Sequence, residues 1–172
     1  MEILVCVKRV PDSAENEIEM NAEGNDIERD DLVYSVNEWD NYAVEEAIQI
    51  VDRVGGSVTV VTVGDDESDE VLRREMAMGA SKGILLTDDA FEGSDCKGIA
   101  TILKGCVDKG SYDLVLTGAQ ADEGAGAVGI AALLAGIIGG SGVTAVLVSG
   151  CNIDMTLHHR IASGEDVEVT AA

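Results

Sequence analysis

The chain of 172 residues carries 33 Asp and Glu against 11 Lys and Arg, a formal charge of -22, yet 46% of its residues are hydrophobic. That length suits one domain with a substantial core, and the hydrophobic content argues against a disordered acidic chain. The acid excess excludes nucleic acid as a partner, because a polyanion requires basic neutralisation.

Met1–Val10 opens with Ile3, Val5 and Val7 in a nearly continuous apolar run, the pattern of a buried parallel strand. The segment from Arg9 to Tyr34 is polar, holds Pro11, and is longer than most connections. Within it Glu17–Met20 and Asp31–Tyr34 are weak strand candidates for a short hairpin. Asn37 begins a helix in which Val44, Ala47, Ile48 and Val51 recur at helical spacing, and Gly55-Gly56 ends it. Ser57–Gly64 is a second buried strand. Asp65–Met78 is a helix with acids in its first turn, matching the helix dipole, and Gly79 stops it. Gly83–Thr87 is a third strand, and Ser94 caps a third helix that carries Ile99, Ile102, Leu103 and Cys106. Leu114–Thr117 is a fourth strand and Val128–Ile138 a fourth helix. Val143–Val148, Asp154–Arg160 and Asp166–Thr170 are further short strand candidates.

Strands alternating with amphipathic helices predict an α/β fold, a doubly wound and mostly parallel sheet with helices on both faces. The expected organisation is one nucleotide-binding domain over residues 1–150, followed by a short β extension over 151–172. Ligands of such sheets sit beyond the carboxyl ends of the strands, at the switch point of strand order. The loops after Val7, Val63, Leu86 and Leu116 converge there. The stretch Asp113–Gly129 runs from a strand into a glycine-studded turn and then a helix, a layout that presents backbone N–H groups to phosphate. Gly118, Gly124, Gly126 and Gly129 form that turn, while Asp122 and Glu123 must point outward, accept from ribose hydroxyls or share a cation.

Other constellations carry less. His158 and His159 are adjacent and on a strand would face opposite sides, so a shared metal is not expected. Cys6, Cys96, Cys106 and Cys151 show no CxxC pair or zinc spacing and read as reduced thiols in a cytoplasmic protein. Neither a catalytic triad nor a carboxylate pair stands out, so no enzyme activity and no membrane insertion are expected. Trp39 either stacks on an adenine or caps the core, with the core favoured. The acidic surface, with few Lys and few large aromatics, fits a high-salt cytoplasm in which screening relieves self-repulsion.

The motifs CVKRVPD (Cys6–Asp12), Asn37 followed by AVEEA (Ala43–Ala47), VTVVTVG (Val58–Gly64), AMGASKGILL (Ala77–Leu86) and DLVLTGAQ (Asp113–Gln120) occur in unbroken order. Together they resemble the beta subunit of electron-transfer flavoproteins, over Met1 to about Leu134. The resemblance implies a non-catalytic subunit that pairs with an FAD-bearing alpha subunit and carries electrons from acyl-CoA or other dehydrogenases. It implies a structural AMP in the beta subunit, or an additional FAD in the bifurcating members. The matching cofactor positions are Cys6, Asn37, Glu38, Trp39, Asp40 and Val63, with the turn Ala121, Asp122, Glu123, Gly124, Ala125, Gly126, Ala127, Val128 and Gly129. Arg160 with Ser163-Gly164-Glu165 resembles the start of the family's C-terminal arm, here expected to be truncated. Two alternatives stand beside it. One is a stand-alone ATP- or AMP-binding module of the universal-stress-protein type, for which Gly126-x-x-Gly129 and Gly140-Ser141 miss the phosphate signature by one position. The other is a scaffold that binds nothing.

Overall fold

The computed structural model describes residues 1–24 and 27–118. Among the described residues, four strands form one parallel sheet: β1 (Glu2–Cys6), β4 (Ser57–Val63), β5 (Lys82–Leu86) and β6 (Leu114–Thr117), in the order β5-β4-β1-β6. β1 pairs with β4 from Glu2↔Ser57 to Cys6↔Val61, and with β6 from Ile3↔Leu114 to Cys6↔Thr117. β4 pairs with β5 from Thr59↔Lys82 to Val63↔Leu86. The helices that connect these strands are α1 (Glu38–Val54), α2 (Asp69–Met78) and α3 (Cys96–Lys109). The parallel α/β architecture follows from the alternation seen in the sequence.

The sheet is apolar on both faces, as a strand buried between helix layers requires. Ile3, Val5, Val58, Val60 and Leu116 join Ala43, Val44 and Ala47 of α1 and Val71 and Leu72 of α2 in one core cluster. Leu4, Val61 and Ala100 of α3 are buried outside that cluster, because alternate residues of a strand face opposite sides. Each fully buried aliphatic side chain of this kind contributes about 1.5–3 kcal/mol.

Helix ends follow local chemistry. α1 stops where Gly55 takes a positive φ and returns its N–H to the carbonyl of Val51. The expected helix over Asp65–Met78 is divided: a 3-10 turn at Asp66–Ser68 precedes α2. Asp65 causes the division by accepting from the backbone N–H and hydroxyl of Ser68 at 3.1 and 2.9 Å. α3 is capped by Asp95, not Ser94, since Asp95 Oδ1 accepts from Gly98 N–H at 2.7 Å.

The polar excursion departs from expectation. Its strands are β2 (Arg9–Pro11) and β3 (Tyr34–Val36), paired antiparallel from Arg9↔Val36 to Pro11↔Tyr34, rather than Glu17–Met20 with Asp31–Tyr34. An antiparallel bridge joins Met20 to Ile27 within it. The reason lies in Arg9, whose guanidinium stacks 3.8 Å above the Tyr34 ring and bonds Glu70 and Glu67 at 2.8 and 3.0 Å. That contact closes the excursion at its base and ties it to α2 and the turn before it. The expected elements beyond Thr117, and the expected boundary at residue 150, lie outside the described residues.

Candidate functional site

The carboxyl ends of all four parallel strands share one edge. The chain leaves β1 through α1 to β4 and β5, then returns through α3 to β6 on the other side of β1. The order therefore reverses between β1 and β6, and a crevice at such a point is where ligands of open α/β sheets bind.

α1 begins directly over this reversal. Asn37 is its buried N-cap residue, and its backbone N–H donates to the carbonyl of Lys8 at 2.9 Å. Asp40, one turn in, is 6% exposed. Its Oδ2 accepts from the N–H of Lys8 at 2.8 Å and its Oδ1 from the N–H of Gly118 at 3.1 Å. The Asn37 side chain adds a third hydrogen bond. Desolvation nevertheless outweighs these donors and pushes the Asp40 carboxyl up to about 6.

Gly118 is required where it stands. A Cβ there would lie 2.1 Å from Asp40 Oδ1 and 2.9 Å from the backbone of Trp39 and Asp40. The sequence pattern makes this residue the first glycine of a phosphate turn. Its amide is already taken by a carboxylate, as is that of Lys8, so neither is open to an anion. The glycine serves the close approach of α1 to the end of β6.

Around this contact the sequence-derived positions fall as follows. Cys6 ends β1 and is half-buried, its thiol pushed up to about 12 by burial first and then by the Asp40 charge. Val63 ends β4 on the same edge, two residues past the partner of Cys6. Trp39 is half-buried outside the main core cluster and meets Tyr42 edge-to-face, with centroids 5.8 Å apart and planes at 73°. Glu38 is exposed and accepts from the Tyr42 hydroxyl at 2.5 Å, on the outer side of the helix start. Cys6, Asn37, Trp39, Asp40 and Val63 are thus brought to one edge. Ala121, Asp122, Glu123, Gly124, Ala125, Gly126, Ala127, Val128 and Gly129 lie outside the described residues.

Among the described residues, buried side-chain oxygens without a hydrogen-bond partner belong to Asn41, Thr62, Glu75 and Thr117. Three of these sit at the carboxyl edge: Asn41 in the first turn of α1, Thr62 one residue before the end of β4, and Thr117 at the end of β6. A buried polar group left unpaired costs about 1–3 kcal/mol, so their gathering at one edge marks a place that a hydrogen-bonding ligand would complete.

Sequence reasoning missed the role of Asp40 as a bridge and missed Glu75. Glu75 is fully buried between Val71 and Leu72 on the inner face of α2, and desolvation pushes its carboxyl up to about 7. Its spacing of four from Val71 was a legible signal. No cluster of three or more His, Cys, Asp or Glu suited to a metal occurs among the described residues, and no described helix is long and apolar enough to cross a membrane.

Comparison with known proteins bears on this geometry. The family model described as "Electron transfer flavoprotein domain" matches residues 25–172. The electron transfer flavoprotein subunit beta of Thermoanaerobacterium thermosaccharolyticum is 40% identical over 124 residues, covering 72% of this chain and 47% of that protein. Protein FixA of Sinorhizobium fredii is 40% identical over 129 residues, with 72% and 45% covered. The subunit beta of Methylophilus methylotrophus is 38% identical over 125 residues, with 72% and 47% covered. The chain therefore spans a little under half the length of these relatives. Given the parallel sheet, the edge that gathers its unpaired polar groups, and these matches, the chain belongs to the electron transfer flavoprotein family, and the relatives it matches are beta subunits and FixA proteins.

Proposed function

We propose that this chain is a beta-type subunit of an electron transfer flavoprotein, non-catalytic, holding an adenine nucleotide at the carboxyl edge beside the β1–β6 reversal. The observation that carries this reading is the set of unpaired buried oxygens of Asn41, Thr62 and Thr117 along that edge. Their partners would be the base and ribose of a nucleotide, which offer N–H and O–H donors. The Asp40 carboxylate bars phosphate from the gap between Lys8 and Gly118 by charge. The phosphate is assigned instead to residues 121–129, on the glycines of that sequence, Gly124, Gly126 and Gly129, which leave backbone N–H groups open to an anion. AMP satisfies this arrangement, and FAD satisfies it through its AMP portion.

The electron-carrying cofactor in this reading is the FAD of a paired alpha subunit, exchanging electrons with acyl-CoA or other dehydrogenases. This chain contributes binding and orientation, not bond-making chemistry. A cytoplasmic setting agrees with the reduced, unpaired state of Cys6, Cys96 and Cys106. The charge of -22 favours a high-salt interior.

The test is co-purification with an alpha subunit from the same source, followed by release and chromatography of the bound nucleotide and an absorbance spectrum of each subunit. AMP retained by this chain, or a flavin band belonging to it, supports the reading. A homodimer with exchangeable ATP points instead to a stress-type module, and a chain that retains no nucleotide refutes both.

A further inference from the structure

We propose that Asp40 is the positioning residue of this site: its carboxylate joins the amides of Lys8 and Gly118 and so fixes the gap between β1 and β6. Its role for the ligand is indirect, and that part of the inference rests on the nucleotide reading above.

Several observations support it. The β1–β6 ladder ends at Cys6↔Thr117. Immediately beyond, Lys8 and Gly118 turn their N–H groups to one carboxylate, at 2.8 and 3.1 Å. Two strand ends that would otherwise diverge at the reversal are held by a group bonded to both. The link to the Lys8 peptide is reciprocal, since its carbonyl accepts from Asn37 N–H at 2.9 Å. The start of α1 therefore holds both the N–H and the carbonyl of Lys8. The grip on β6 is equally close, because the space a Cβ of residue 118 would occupy is filled by Asp40 Oδ1 and the α1 backbone. With 6% exposure and three donors already bonded, Asp40 has little left to offer a ligand. What it controls is the position at which β6 ends beside β1. The groups facing it are Lys8 and Cys6 from β1 and its continuation, Asn37 at the start of α1, and Glu75 from α2. Of these, Lys8 and Asn37 favour the ionised form.

The test compares Asp40→Asn, Asp40→Ala and Glu75→Gln with the wild type, using the full chain at matched KCl. Amide hydrogen exchange is followed by NMR at Lys8 and Gly118, and AMP affinity by calorimetry. Asp40→Asn keeps the shape but offers one acceptor where two are needed, so exchange at one of the two amides accelerates at least tenfold. AMP affinity falls at least fivefold, while Val5 and Val60 in the sheet centre remain protected. Asp40→Ala releases both amides. Glu75→Gln, which changes a buried acid outside the bridge, shifts the melting temperature but leaves both exchange rates and AMP affinity within twofold. Persisting protection of Lys8 and Gly118 in folded Asp40→Asn overturns the proposal, and so does AMP affinity that survives their release. If the wild type binds neither AMP nor FAD, the nucleotide reading fails by itself, and the exchange rates alone decide whether Asp40 holds the gap.

Discussion

Asp40 and Glu75 are both buried carboxyls on helices that cover the same face of the sheet, and they are built differently. Asp40 accepts hydrogen bonds from Lys8 and Gly118, far from it in the chain, and from the neighbouring Asn37. Glu75 has no hydrogen-bond partner on either oxygen among the described residues, and its neighbours Val71 and Leu72 are apolar. Burial raises both pKa values, to about 6 and about 7. The comparison separates two roles for a buried acid. Asp40 organises the backbone of three elements, whereas Glu75 is tolerated by the core in its neutral form and organises nothing visible.

Removing the organised carboxyl has the largest consequence. Asp40→Ala leaves two backbone donors in a dry gap, and each hydrogen bond to a charged group is worth about 1.5–3 kcal/mol. A loss of about 3 kcal/mol or more, read by chemical denaturation, is the expected outcome. Glu75→Leu acts oppositely. At pH 8 it removes a desolvated charge and raises stability by about 2 kcal/mol, within the few kcal/mol that a raised carboxyl of this size represents.

The pH dependence sharpens the contrast. The folded pKa of each acid lies above its ordinary value, 3.8 rising to about 6 for Asp40 and 4.5 rising to about 7 for Glu75. The folded chain thus binds these protons more tightly than the unfolded chain. Their contribution is fully present below about pH 4 and is lost as pH rises through 6 and 7, by about 3 kcal/mol for each acid. Other acids add slopes of their own, so the measurable quantity is the difference between wild type and Glu75→Gln across pH 4.5–7.5. The variant loses the descending part that belongs to Glu75. An unchanged slope would show that this carboxyl titrates alike in the folded and the unfolded chain.

Gly118→Ala probes the same gap without touching a charge. The added methyl must displace Asp40 or the start of α1, and overpacking of this kind costs about 1–3 kcal/mol. The smallest effect is expected at Arg9. Its carboxylate partners are exposed, Glu67 by 74% and Glu70 by 52% of the side chain, so the ion pairs are screened. Arg9→Ala should cost about 1 kcal/mol, mostly through the lost stack on Tyr34. Proteolysis within 12–33 should quicken more visibly than the melting temperature falls.

Much of the fold was legible because parallel strands between helices are written as unbroken apolar runs. Ser57–Gly64 and Leu114–Thr117 were found within a residue for that reason, and α1 was bounded by Asn37 and Gly55. The excursion was misread because Arg9–Pro11 is only three residues long, with one buried residue and a proline. What forms that strand is a ring stack with a residue 25 positions away. Ser94 and Asp95 are both good caps, and only the reach of Asp95 to Gly98 decides between them. At the site, Cys6, Asn37 and Val63 could be placed because they sit at strand and helix ends. The bridge could not, since Asp40 joins residues 32 and 78 positions from it, and no local pattern announces such a meeting. Glu75 carries one signal, its spacing of four from Val71, but in a chain so rich in acids one more on a helix draws no notice.

The proposed function requires an adenine nucleotide to sit at the carboxyl edge beside Asp40. AMP titrated into the isotopically labelled chain, followed by amide and side-chain shifts, tests this most directly. Saturable shifts concentrated at Cys6, Asn41, Thr62, Val63 and Thr117, with Asp52 and Lys109 at the far ends of α1 and α3 unmoved, are the predicted result. Saturation that leaves those five residues unmoved, or no saturable change with either AMP or FAD, would contradict it.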